Sequence, residues 1–143
     1  MSAGNGFAAV TLVPGRAEAE VFVMAEPLSF WGGLDATTGE IIDRWHPQSG
    51  EILTGRMLLM ESGRGSSSGS SVLAEAIRAG TGPAGIVLLT RDAIVTLGAL
   101  VAAELYGASC PVVMAAAADW PALTAAGRLT VEAGPNGAAI RIG

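Results

Sequence analysis

The chain has 143 residues, half of them apolar and only 15% charged; that is enough for a hydrophobic core and reads most simply as one domain, 1–143. A formal charge of −5, carried without any lysine, excludes the basic stripe that nucleic acid needs and a polybasic membrane patch, and the low charge points to a surface covered by a partner. One cysteine excludes an internal disulfide, the apolar runs are too short to cross a bilayer, and the N-terminus lacks a basic, apolar leader, so a soluble cytoplasmic protein is expected.

In chain order, the first half reads as β structure. Ala19–Met24 is a predicted strand, and Glu40–Ile42 another, entered from the turn signal Thr37-Thr38-Gly39. Between them Pro27–Gly33 has neither helical nor strand periodicity and reads as an ordered loop. Glu51–Thr54 reads as a further short strand. The second half alternates. Met57–Glu61 is a strand. Ser70–Ala79 is a helix with Val72, Leu73, Ala76 and Ile77 on one face, stopped by Gly80 and Pro83. Ile86–Leu89 has the continuous apolar character of a parallel strand. Asp92 can cap a helix reaching Tyr106, apolar on most sides and hence expected to be buried, with Gly107 as its stop. Val112–Met114 is a strand, with Cys110 before it as a core thiol. Asp119–Ala126 is a short helix and Leu129–Val131 a closing strand. The expectation is an α/β fold, a β-rich N-terminal half followed by β-α-β-α-β, with right-handed crossovers and an open sheet.

The run Gly63-Arg64-Gly65-Ser66-Ser67-Ser68-Gly69-Ser70-Ser71 stands between a strand and a helix, so it is not a flexible linker. A strand, a glycine turn and a helix N-terminus make an anion site. Glycines let backbone N–H groups approach a ligand, and the helix end adds partial positive charge. Arg64 either offers its planar fork to a carboxylate or phosphate, or holds the loop together by bonding carbonyls. His46, the sole histidine, precedes Pro47 in an extended loop. Proton transfer competes there with a structural, surface or partner-binding role. In Phe30-Trp31-Gly32-Gly33 the glycines permit close backbone approach, while the aromatics either line a cleft or anchor a core or interface. Asp35 and Asp43 read as turn residues or salt-bridge partners. With neither a cysteine set nor paired histidines, no metal ligand is assigned.

Ser29–Tyr106 resembles the small, swivelling domain of the aconitase X family. The resemblance rests on Pro27-Leu28-Ser29-Phe30-Trp31-Gly32-Gly33-Leu34-Asp35, on Asp43–Pro47, on Ser62–Gly69 and on Ala103-Glu104-Leu105-Tyr106-Gly107. It implies the swivelling β/β/α fold and a hydro-lyase whose large subunit holds iron or an iron–sulfur cluster while the small domain covers it. No cofactor is then expected on this chain alone, and the chain alone would be inactive. Related aconitases use a serine in a Gly-Ser-Ser loop as general base, which transfers to Gly65-Ser66-Ser67 and makes Ser66 the candidate base. That pattern continues with arginine where this chain has Ser68, so the substrate-binding arginine does not transfer; Arg64 is the candidate substitute, beside Gly65, Ser67, Ser68, Gly32 and Gly33 as substrate contacts and His46 and Trp31 as accessories. The family's substrates are cis-3-hydroxy-L-proline, favoured here by composition, and mevalonate 5-phosphate. Two readings from other classes stand beside this one. One is a phosphohistidine carrier using His46; the other is a regulatory ligand-binding domain.

Overall fold

The structure is a computed structural model describing residues 6–143. In chain order it comprises β1 (Gly6–Val13), β2 (Gly15–Val23), α1 (Phe30–Gly33), β3 (Leu34–Asp35), β4 (Glu40–Ile41), β5 (Met57–Met60), α2 (Gly69–Ala79), β6 (Gly85–Leu88), α3 (Ala93–Tyr106), β7 (Val112–Ala115), α4 (Trp120–Thr124), β8 (Arg128–Gly134) and β9 (Gly137–Ile142). Seven strands close a barrel in the order β1-β7-β6-β5-β2-β8-β9, and β9 returns to β1. β2, β5, β6 and β7 run parallel, while every pairing of β1, β8 or β9 is antiparallel. The sheet expected to be open is therefore closed, by two strands that the sequence reading lacks and by longer versions of two that it has.

Alternation along β5 builds two cores. Successive strand side chains point to opposite faces. Met57 and Leu59 enter the barrel with Ala19, Val87, Val113, Leu129, Val131 and Ile140. Leu58 and Met60 point outward into a second layer with Ile86 and Leu88, covered by Leu73, Ala76 and Ile77 of α2 and Val95, Ala99 and Ala102 of α3. Covered on both faces, all four β5 residues are buried, as are all four of β6. The antiparallel side faces water. There Arg16–Glu132, Arg128–Glu18 and Arg141–Glu132 pair across exposed positions. α2 and α3 approach closely at Gly98, where a Cβ would lie 2.9 Å from the Ser70 carbonyl oxygen and 3.1 Å from Leu73 Cβ.

Both long helices end as their glycines require: Gly80 and Gly107 take φ of 80° and 63°. Three expectations need correction. Glu51–Thr54 is not a strand; only Ile52 bridges Glu40, although Ile41 N–H bonds the Glu51 carbonyl and Leu53 N–H the Gly39 carbonyl. α3 is not buried all round, because α2 and the sheet cover one side only; Leu97, Leu100, Leu105 and Tyr106 remain exposed. Leu129–Val131 is not the last strand, since β8 continues to Gly134 and turns through Pro135-Asn136 into β9.

Candidate functional site

β2, β5 and β6 are adjacent and parallel, so the segments leaving their carboxyl ends lie side by side. They are the Ala25–Gly33 segment, the serine loop 61–68 and the loop 89–92. Carboxyl ends of parallel strands are where α/β sheets place ligands.

Serine-loop geometry follows from its glycines. Gly65 has φ of 94°, and a Cβ there would run into Ser29 Oγ. A Cβ on Gly69 would lie 3.5 Å from the Trp31 backbone nitrogen and 3.6 Å from Phe30 Cβ. The serine loop and the segment 29–33 therefore meet at Gly65, where only glycine fits, and lie within ordinary contact at Gly69. Phe30 is buried as an anchor beneath the loop, whereas Trp31 is 59% exposed beside it. α1 is a single irregular turn, with Trp31 and Gly32 outside helical φ/ψ, close to the ordered loop expected for Pro27–Gly33.

Ser66 is exposed, and its Oγ accepts the Ser68 N–H at 3.1 Å. Its carbonyl accepts Gly69 N–H at 2.9 Å, and Ser67 carries both the N–H and the hydroxyl of Ser70 on its carbonyl. Ser67 and Ser68 are exposed as well. Among the described residues the Ser66 and Ser67 amides, which precede the Ser68 N-cap, have no intrachain acceptor. Ser66 thus sits two residues before the N-cap of an 11-residue helix, at its positive end, with one backbone N–H on its hydroxyl.

Arg64 is half-exposed, with Nη2 3.9 Å from Asp43 Oδ2, a loose pairing that leaves the fork open to an anion. Asp43 also accepts the Trp45 N–H at 3.0 Å, and Asp35 accepts the Thr37 N–H at 2.8 Å. Both are the turn residues expected. Gly33 is buried against Leu28 and Asp43, behind the loop, whereas Gly32 is exposed with φ of 77°. Trp45 is 87% exposed.

His46 is 3% exposed. Its Nδ1 accepts the Gln48 N–H at 3.1 Å, so Nε2 carries the proton and donates to the Glu26 carbonyl at 3.1 Å. Both ring nitrogens are occupied by backbone, which removes it as a phosphoryl carrier and as a proton shuttle. With Gln48, whose side chain accepts from Ala25 N–H and donates to the Val23 carbonyl, it fixes the segment leading to Phe30 and Trp31.

Sequence reasoning missed Gln48, and it missed Arg91. Arg91 is exposed beside Asp92 on an open hollow of about 300 Å³ that Thr11, Leu12, Ala93 and Thr96 complete, and it has no ion-pair partner among the described residues. Its only signal was its place after a buried apolar strand. A wider hollow of about 610 Å³ lies at the β8–β9 hairpin, lined mostly by Ala and Gly with Glu132 as its one ionisable group, and offers no comparable chemistry.

Iron or an iron–sulfur cluster is not suited to these side chains. No three His, Cys, Asp or Glu residues converge among the described residues. Cys110 is wholly buried, and burial pushes its thiol up to about 12, away from the thiolate a metal needs. Among the described residues no helix is long and apolar enough to cross a membrane.

A family model described as the aconitase X swivel domain matches residues 7–140. The chain is 52% identical over 102 residues to the cis-3-hydroxy-L-proline dehydratase of Pseudomonas aeruginosa; the match covers 71% of this chain and 18% of that protein. It is 51% identical over 81 residues to the phosphomevalonate dehydratase small subunit of Methanopyrus kandleri, covering 57% and 60% respectively. The chain thus spans under a fifth of the first relative and about three fifths of the second. The crystal structure of holo-form Thermococcus kodakaraensis aconitase X superposes with a TM-score of 0.78 at 26% identity, over 96% of this chain and 97% of that one.

Proposed function

The chain belongs to the aconitase X swivel-domain family, and from that premise we propose that its residues 1–143 act as one closing domain, the small subunit of a hydro-lyase. A larger partner would hold the iron centre and most of the substrate, which fits a chain whose described residues bring no metal-ligand set together. The observation that carries this reading is the exposed Ser66 hydroxyl, held by a backbone N–H at the start of α2, with the exposed Arg64 two residues before it and the exposed Trp31 on the segment that packs against the loop.

In this reading Ser66 acts as the base. A serine oxygen takes a proton near neutrality only where its anion is strongly stabilised. The Ser68 N–H and the helix start supply part of that, and Arg64 adds a cation nearby. The proton passes from the substrate carbon next to the hydroxyl-bearing carbon to Ser66 Oγ. The C–O bond to the hydroxyl breaks, a double bond forms, and water is lost overall. Arg64 and the Ser66 and Ser67 amides hold the substrate's anionic group, with Gly65, Ser68 and Gly32 allowing close approach. Trp31 excludes water. Gly33, buried behind the loop, shapes the site without touching substrate.

We favour cis-3-hydroxy-L-proline because that match runs over 102 residues against 81. Mevalonate 5-phosphate is the second reading. The serine-rich helix start with Arg64 suits a phosphate dianion equally well. Turnover of both compounds by the chain alone, by its large partner alone and by the two together decides. Dehydration of hydroxyproline by the pair only is expected. Turnover of mevalonate 5-phosphate alone would select the second reading, and no requirement for this chain would refute the proposal.

A further inference from the structure

Serine-loop placement depends on a residue of a different strand–helix connection. Asp92 caps α3, its Oδ1 accepting the Val95 N–H at 3.0 Å. Its second oxygen does something a cap does not need: Oδ2 accepts the Gly63 N–H at 2.7 Å, a short charge-assisted bond across 29 residues of sequence. Gly63 is shaped for this. A Cβ there would meet Asp92 Oδ2 at 2.9 Å and Val95 Cγ2 at 3.3 Å. Just upstream, the Glu61 carbonyl accepts the Leu89 and Thr90 N–H groups at 3.1 and 3.0 Å and the Thr90 hydroxyl at 3.2 Å. The two loops are therefore stapled together at their base. Among the described residues, the other backbone hydrogen bond to the stretch before Ser66 is Arg64 N–H to the Leu28 carbonyl, at 3.4 Å.

We propose that Asp92 is a positioning residue for the reaction: its carboxylate ties the start of the serine loop to the rigid N-terminus of α3 and so fixes where Ser66 and Arg64 stand. This rests on reading the loop as catalytic. A carboxylate is the group that satisfies two converging N–H donors, one per oxygen. Asparagine keeps one acceptor and turns an NH₂ towards the other donor. Serine keeps the cap but does not reach Gly63.

The test uses Asp92→Asn and Asp92→Ser in the full chain, with amide exchange read residue by residue and turnover read after assembly with the large subunit. Expected is a rise of about tenfold or more in Gly63–Gly65 exchange, in line with loss of a hydrogen bond to a charged group. The Val95 amide should change less than about threefold in the serine variant, since its cap remains. In the assembled enzyme kcat should fall about tenfold, with KM and assembly affinity nearly unchanged, a split that general destabilisation does not produce. Gly63→Ala perturbs the same bond from the other side while keeping the Asp92 cap, and it carries the test if the Asp92 variants fold poorly. Combined with Asp92→Ser it should add little to either single change. Unchanged Gly63 exchange in all three variants overturns the proposal. So does faster exchange with unaltered kcat, provided Ser66→Ala is inactive in the same assay. If Ser66→Ala is fully active, the catalytic reading of the loop fails instead, and exchange alone still decides whether Asp92 holds it.

Discussion

Replacing Gly65 with alanine separates the two contributions by which the serine loop is held against Ser29. Gly65 has φ of 94°, where an L side chain costs about 1–3 kcal/mol. The new Cβ would run into Ser29 Oγ and lie 2.8 Å from Ser29 Cβ, an overpacking contact of about 1–3 kcal/mol. Ser29 cannot simply rotate away, because its hydroxyl donates to the Trp31 carbonyl at 3.1 Å. The sum is about 2–6 kcal/mol. At about 3 °C per kcal/mol for a chain of this size, melting should drop by about 6–18 °C. Ser29→Gly on the Gly65→Ala background removes the steric part alone, and a double-mutant cycle should show a coupling of about 1–3 kcal/mol. Urea unfolding of the four proteins measures it. A Gly65→Ala chain within about 0.5 kcal/mol of the parent, or a coupling near zero, would refute the claim that these segments are in glycine-dependent contact.

Cys110 makes stability fall in alkali. Its folded thiol is pushed up to about 12 by burial, above an unfolded value of about 8.5, so the contribution is complete below pH 8.5 and is lost as pH rises from there towards 12. The urea midpoint should fall between pH 8.5 and 10 by about 2 kcal/mol in free energy, and the slope should flatten in Cys110→Ala; an equal slope in both would contradict this. Trp45→Ala, at a position 87% exposed, should leave the free chain's stability within about 0.5 kcal/mol yet weaken assembly with the large subunit about tenfold or more by calorimetry. Unchanged affinity would move the interface elsewhere.

The second half of the fold was legible because its signals are local. Met57–Met60 and Gly85–Leu88 are continuous apolar runs, Asp92 caps, and Gly80 and Gly107 stop their helices. β1 and β9 were not legible. Their alanines and glycines are weak strand formers, and across Phe7–Val10 and Ala138–Ile142 only Ile140 is fully buried, which gives little contrast between faces. Closure of the barrel went with them, since β1 and β9 complete the ring. α3 misled because composition does not say which of several apolar faces finds a neighbour. At the site, the serine loop, Arg64 and Trp31 were singled out by residue type and placement between elements. The Nε2 bond of His46, the clamp by Gln48 and the second bond of Asp92 depend on contacts with residues 20 to 29 positions away, which no local pattern encodes.

The central claim is that Ser66, rather than a neighbouring hydroxyl, carries the proton. It is tested most directly by single-turnover and steady-state rates of the assembled dehydratase with Ser66→Ala, Ser67→Ala and Ser68→Ala. The account predicts that Ser66→Ala lowers kcat by about 10²–10⁴-fold with KM and assembly nearly intact, and that the other two changes do less. A Ser66→Ala enzyme with near-normal kcat would contradict it, whether activity was lost on replacing Ser67 or Ser68 instead or was retained in all three.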